Sequence, residues 1–180
     1  MTCKVGDVLD KHRQSETTID SDPIEFLREN WEVAGQPGAE HYAAAASIFR
    51  TYQLVSSAFD RALKPSRLNR TTYHLMATLF VSENMTRPLG QLGKTLMVHP
   101  TTVTLVIDQL EKRKLVRRAP HPTDRRTTLA TLTPAGEKLV TTASVALAEV
   151  NFGLPDTSEG IARRLTTTLR RVRASLGDIE

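Results

Sequence analysis

Between Lys112 and Arg126 the chain holds seven lysines or arginines and one acid, Asp124, while the whole 180-residue sequence has a net charge of +4. A concentrated patch, rather than the total, makes a field that attracts polyanions. The chemistry on offer is charge-assisted hydrogen bonding to phosphate. Just upstream stand Pro100, Thr101, Thr102, Thr104, Leu105 and Asp108. A threonine hydroxyl can bond phosphate or a base edge, and its methyl can touch a thymine methyl. Threonines beside a basic segment therefore point to DNA as partner.

The elements that must position these residues follow from apolar spacing. Leu89, Leu92 and Leu96 mark a short helix, and Met97-Val98 a tight joint. His99-Pro100 opens a second helix, with Val103, Val106, Ile107 and Leu110 on its buried face. Thr101, Leu105, Asp108 and Lys112 then fall opposite, flanked by Thr102 and Thr104. After Lys114 the period changes. Leu115 to Arg118 reads as a strand, His121 to Asp124 as a turn, and Thr128 to Thr133 as an alternating return strand. The spacing predicts a two-stranded hairpin with Arg125 and Arg126 at its tip. Helix, joint, helix and basic hairpin describe a winged helix-turn-helix in a mainly α chain with a small β-hairpin wing. Its second helix enters the major groove, and an arginine-tipped wing suits the minor groove, where the potential is most negative.

Around this lobe, of residues 65–133, the sequence predicts further helices. Residues 1–20 are polar and aperiodic and read as a mobile arm. Residues 21–64 hold a short helix capped by Asp22, from Ile24 to Val33, then a long one from Ala39 to Leu63. In the long helix Ile48, Tyr52, Val55, Phe59 and Leu63 share one face. Asn69 caps a helix from Arg70 to about Glu83, with Leu75, Met76, Leu79 and Phe80 turned inward. Residues 134–180 hold a helix opened by Pro134 and a last helix striped by Ile161, Leu165, Leu169, Val172 and Leu176.

Other function classes lack their signatures. There is no glycine-rich phosphate loop, no Gly-x-Ser-x-Gly elbow and no His-Glu-x-x-His, so an enzyme is not expected and no cofactor is implied. The five histidines are scattered without ligand spacing, so no metal is expected. No apolar run approaches a membrane span. The N-terminus lacks a secretion-type apolar stretch, and Cys3 is the single cysteine, so a cytoplasmic location is expected. The competing reading is a winged module for protein or RNA contact without a ligand response. The threonine face and arginine tip favour DNA.

Residues 42–150 resemble the MarR family of bacterial transcription regulators. The likeness is carried by Val98-His99-Pro100-Thr101-Thr102-Val103-Thr104, Asp108-Gln109-Leu110-Glu111, Leu115-Val116-Arg117-Arg118, Pro122-Thr123-Asp124-Arg125-Arg126 and Leu132-Thr133-Pro134-Ala135-Gly136. It implies a homodimer built from the terminal helices, binding a short inverted repeat and acting as a repressor. It implies that Asp124 braces the wing arginines, which we expect to be an ion pair, and that Arg126 reaches the minor groove. DNA contacts are expected from Pro100, Thr101, Thr102, Thr104, Leu105, Asp108, Lys112, Arg117, Asp124, Arg125 and Arg126. Family members release DNA on binding a small aromatic or lipophilic molecule. The candidate pocket residues are Trp31, Tyr52, Phe59, Tyr73 and His74, each of which also has an ordinary reading as core. The extra N-terminal helix with Trp31 resembles the urate-responsive branch. His74 and Val106 stand where that branch has an aspartate and an arginine, so a less polar ligand, or none, is expected. Cys3 lies too far upstream for the family's thiol-oxidation switch.

Overall fold

The computed structural model describes residues 22–179. The arm at 1–20, with Cys3 and His12, lies outside the described residues. The chain divides into two compact units, one ending at Leu54 and one beginning at Val55. The first unit holds α1 (Pro23–Val33) and most of α2 (Ala39–Leu63). Asp22 caps α1 by accepting the Ile24 N–H at 2.9 Å, and Pro23 fills the first helical position, where no N–H is needed. Trp31 stacks on Tyr42 with ring centroids 4.2 Å apart, and its Nε1 donates to the Pro37 carbonyl. Arg28 adds contacts to Glu25, Glu32 and Glu40. These contacts tie α1 to the start of α2. Ile48, Phe49, Tyr52 and Leu54 stay exposed.

The second unit continues with α3 (Arg70–Phe80), β1 (Thr86–Pro88), α4 (Leu89–Leu96), α5 (Pro100–Lys112), β2 (Val116–Pro120), β3 (Thr128–Leu132), α6 (Pro134–Glu149) and α7 (Glu159–Ser175). Short 3₁₀ turns follow α2, α3 and α6. One core joins Phe59, Leu63, Leu75, Met76, Leu79, Leu92, Val103, Val106, Ile107, Leu110, Val116, Val140 and Leu147. The face of α5 predicted to be buried is the buried one. Asn69 caps α3 as expected, accepting the Thr72 N–H at 2.8 Å.

Two expectations need correction here. α3 ends at Phe80 rather than Glu83, and Phe80, in its last turn, is 41% exposed rather than turned inward. The sheet has three antiparallel strands in the order β1-β3-β2, not two. Thr86, Arg87 and Pro88 pair with Thr131, Ala130 and Leu129, and the hydroxyls of Thr86 and Thr131 lie 2.9 Å apart. A three-residue segment ending in proline gives no strand signal. Its pairing partner lies more than forty residues away, and its place at the sheet edge tolerates the missing N–H.

The junction of wing and α6 is tight. Thr133 caps α6 by accepting the Gly136 N–H, and its own N–H donates to the Leu115 carbonyl at 3.0 Å. A Cβ on Gly136 would lie 2.1 Å from that carbonyl oxygen and 2.9 Å from Leu132 Cδ1. In an open helix, glycine to alanine stabilises by about 1 kcal/mol. Here the clash reverses the sign. Gly136→Ala is expected to destabilise by roughly 1–3 kcal/mol, read as a lower urea midpoint. A midpoint at or above that of the parent counts against this packing.

Candidate nucleic-acid interface

α5 is seated by its apolar face and then locked from the side. Asp108 and Glu111 stand near its C-terminal end, where the helix dipole disfavours carboxylates. Arg118, on β2, answers both. Its guanidinium meets Asp108 Oδ1 at 2.6 Å and lies 3.8 Å from Glu111 Oε2. It also donates to the Thr104 carbonyl at 3.1 Å, while Glu111 accepts the Arg118 backbone N–H at 3.2 Å. One arginine thus fixes the rotation of α5 against the sheet. Arg113 ties the end of the same helix to the Arg67 carbonyl at 3.0 Å.

This clamp alters the expectation for Asp108. Its carboxylate turns to Arg118. Arg118 was missed because its partners are seven and ten residues away. The signal was present as two acids one turn apart at the wrong end of a helix dipole, which call for a cation. On the outer face, Thr101, Thr104, Leu105 and Lys112 are exposed, with Leu105 at 56%. Thr104 donates its hydroxyl to the Pro100 carbonyl at 3.1 Å, which leaves its oxygen as acceptor.

The wing turn is organised by two side chains. Asp124 Oδ1 accepts the Arg126 backbone N–H at 3.0 Å, and Oδ2 accepts the Thr127 hydroxyl at 2.6 Å. Those bonds, the Thr127 hydroxyl first, hold its carboxyl below the usual aspartate range. Asp124 therefore braces the backbone of the turn. The expected ion pair to an arginine side chain is not formed. A short polar side chain bonding its own backbone two residues on is the favoured way to close such a turn. His121 Nδ1 accepts the N–H groups of Thr123 and Asp124. Lys112, Arg117, Arg125 and Arg126 are exposed and form no ion pair among the described residues. Arg117 lies opposite Thr131 in the β2–β3 register.

The five candidate effector residues divide between the units. Trp31 stacks on Tyr42, and Tyr52 is exposed, both in the first unit. In the second, Phe59 stacks on His74 at 5.3 Å and meets Tyr73 edge-on at 5.7 Å. Phe59 and Tyr73 are buried, and the Tyr73 hydroxyl lies 2.9 Å from Ser144 Oγ. His74 keeps one side in solvent. Among the described residues no group of three metal-ligating side chains gathers, and no helix is long and apolar enough to cross a membrane.

Residues 68–128 match the sequence profile of the MarR family. The crystal structure of Sco5413, a MarR family transcriptional regulator from Streptomyces coelicolor, is similar with a TM-score of 0.71 and 33% identity, over 79% of this chain and 99% of that one. The HTH-type transcriptional regulator MhqR of Bacillus subtilis is 29% identical over 49% of this chain and 60% of its own length, so the match spans less than two thirds of that relative. Sco3205, a MarR family regulator from Streptomyces coelicolor crystallised in complex with DNA, shares the fold with a TM-score of 0.67 and 22% identity, over 77% of this chain and 89% of that one.

Two measurements test the local physics. Arg118→Leu is expected to cost about 1–2 kcal/mol, since its carboxylate partners are part-exposed and screened. An unchanged urea midpoint would remove the clamp. Partial burial, and then the charge of Arg70, hold the His74 imidazole below its ordinary value of 6.5. The unfolded chain therefore binds the His74 proton first as pH falls. Stability is full above about pH 6.5 and declines as pH drops from there toward the folded value. His74→Phe, which keeps the ring stack, is expected to lose less stability than the parent between pH 7.5 and 5.5. Parallel losses in the two proteins would refute the assignment.

Proposed function

This chain belongs to the MarR family of transcriptional regulators, and on that footing we propose that it is a homodimeric repressor that reads a short pseudo-palindromic operator and is released by a weakly polar aromatic ligand. One observation carries the reading. α5 buries one face in the core and leaves Thr101, Leu105 and Lys112 outward, while Arg117, Arg125 and Arg126 have no acid to pair with among the described residues. Cations left unpaired on one sheet and its turn suit an external polyanion. Pro100, Thr101, Thr102, Thr104, Leu105 and Lys112 then contact the major groove or its backbone. Arg117 and Arg125 meet phosphate, and Arg126 enters the minor groove. Asp124 and Asp108 serve by positioning.

The division of labour follows the sequence expectation. Residues 65–133 form the DNA-binding lobe, and residues 21–64 and 134–180 form the dimer. Support comes from α7, which buries no residue although its stripe is apolar. Ile161 is 46% exposed, and Leu165 and Val172 are 37% exposed. An unpartnered stripe of this kind suits a second copy. The half-sites then lie about one helical turn apart. The ligand reading rests on the cluster of Phe59, Tyr73 and His74, whose one polar edge suits a largely apolar molecule. Trp31 and Tyr52 remain candidates for the same role.

The test is a gel shift with the DNA upstream of the protein's own gene at several salt concentrations. A specific complex that weakens steeply with salt is expected. Arg126→Ala is expected to weaken it at least about tenfold and to lower the salt slope by roughly two for a dimer. Absence of any specific complex at low salt would overturn the proposal, and unchanged affinity would remove Arg126 from the site.

A further inference from the structure

Two histidines of the same surface use the same ring atom in the same way. His99 is the N-cap of α5, and its Nδ1 accepts the Thr101 backbone N–H at 3.3 Å. His121 opens the wing turn, and its Nδ1 accepts the backbone N–H groups of Thr123 and Asp124, each at 3.3 Å. A backbone N–H can only donate. Nδ1 is therefore unprotonated in both rings, and a neutral imidazole then carries its proton on Nε2. The hydroxyls of Thr101, at 3.1 Å, and Thr123, at 3.3 Å, lie beside the same nitrogens.

Nε2 sits on the far side of each ring from these bonds. Neither Nε2 meets a partner among the described residues. His121 lines a groove with Gln91, Lys94 and Arg126, two of them cations. His99 is exposed at the end of α5. Each ring is thus held by one nitrogen and presents the other as a donor of fixed direction. Such a donor loses little rotamer freedom on binding. An anionic acceptor beside Lys94 and Arg126 matches it best, because a phosphate oxygen only accepts and is drawn by both cations.

We propose that His99 and His121 are DNA-contact residues, each capping its own backbone through Nδ1 and donating Nε2–H to a phosphate oxygen of the operator. The proposal rests on the reading of the chain as a DNA-binding regulator. It adds two neutral donors to an interface otherwise made of threonines and cations.

Asparagine and glutamine separate the two nitrogens. Asparagine places an amide oxygen where Nδ1 caps, and glutamine places an amide N–H₂ near Nε2. The full chain is measured by fluorescence anisotropy on the duplex that the parent binds most tightly in selection from random double-stranded DNA. His99→Asn and His121→Asn are expected to keep the melting temperature and to weaken binding about tenfold or more, with the salt slope unchanged because no cation is lost. His99→Gln and His121→Gln are expected to lower the melting temperature yet bind better than the asparagine variants. Asparagine variants that bind as tightly as the parent overturn the proposal and leave DNA binding intact. A parent that selects no duplex overturns both. A second readout needs no DNA. Nitrogen-15 spectra of the free protein near pH 8 are expected to show both rings as the Nε2–H tautomer, and an Nδ1–H tautomer in either ring overturns its assignment.

Discussion

The rotation of α5 about its own axis is the constraint on which the rest of the structure depends. A helix that presents threonines to a partner is useful only if the same turn of the helix always faces out. Val103, Val106, Ile107 and Leu110 set that rotation coarsely by burial. Burial alone leaves play, because hydrophobic attraction has no direction. Arg118 removes the play with directional bonds to Asp108 and the Thr104 carbonyl. The strand that carries Arg118 is also the first strand of the wing. Helix and wing are therefore joined through one side chain, and the Thr133–Leu115–Gly136 junction ties the far end of the hairpin to α6.

Electrostatics are arranged around the same helix in two layers. Cations that meet acids or carbonyls, Arg118 and Arg113, hold elements together. Lys112, Arg117, Arg125 and Arg126, which meet neither among the described residues, are exposed. Asp124 is spent on the wing backbone, so it shapes the turn without neutralising the arginine beside it. Holding the turn by its backbone fixes where Arg126 starts and leaves its side chain exposed.

Away from the candidate interface, the burden falls on apolar surface. α7 keeps its stripe in solvent, and the first unit keeps Ile48, Phe49 and Leu54 there. Phe59 and Leu63, one and two turns further along α2, are buried. The same helix thus supplies the core of the second unit at one end and an open face at the other.

Periodicity carried most of the element list, because a 3.6-residue apolar repeat and its caps are local facts. The buried face of α5, the caps Asp22 and Asn69, the helix start at His99-Pro100 and the hairpin strands were legible in this way, whereas the Thr133 cap was not. The threonine and arginine positions of the candidate interface were legible as residue types on those elements. Contacts between distant parts of the chain were not. Strand β1 exists only because β3 offers it an edge, and no feature of Thr86-Arg87-Pro88 announces that. Arg118 looked like one more charge in a basic run until the fold brought Asp108 and Glu111 to it. Asp124 was expected to hold an arginine side chain and holds a backbone instead, since which donor reaches a carboxylate is decided by the path of the turn. The run between Lys112 and Arg126 was readable by itself as a place for phosphate. Only the tertiary structure decided which of its cations are spent inside the protein and which remain for a partner.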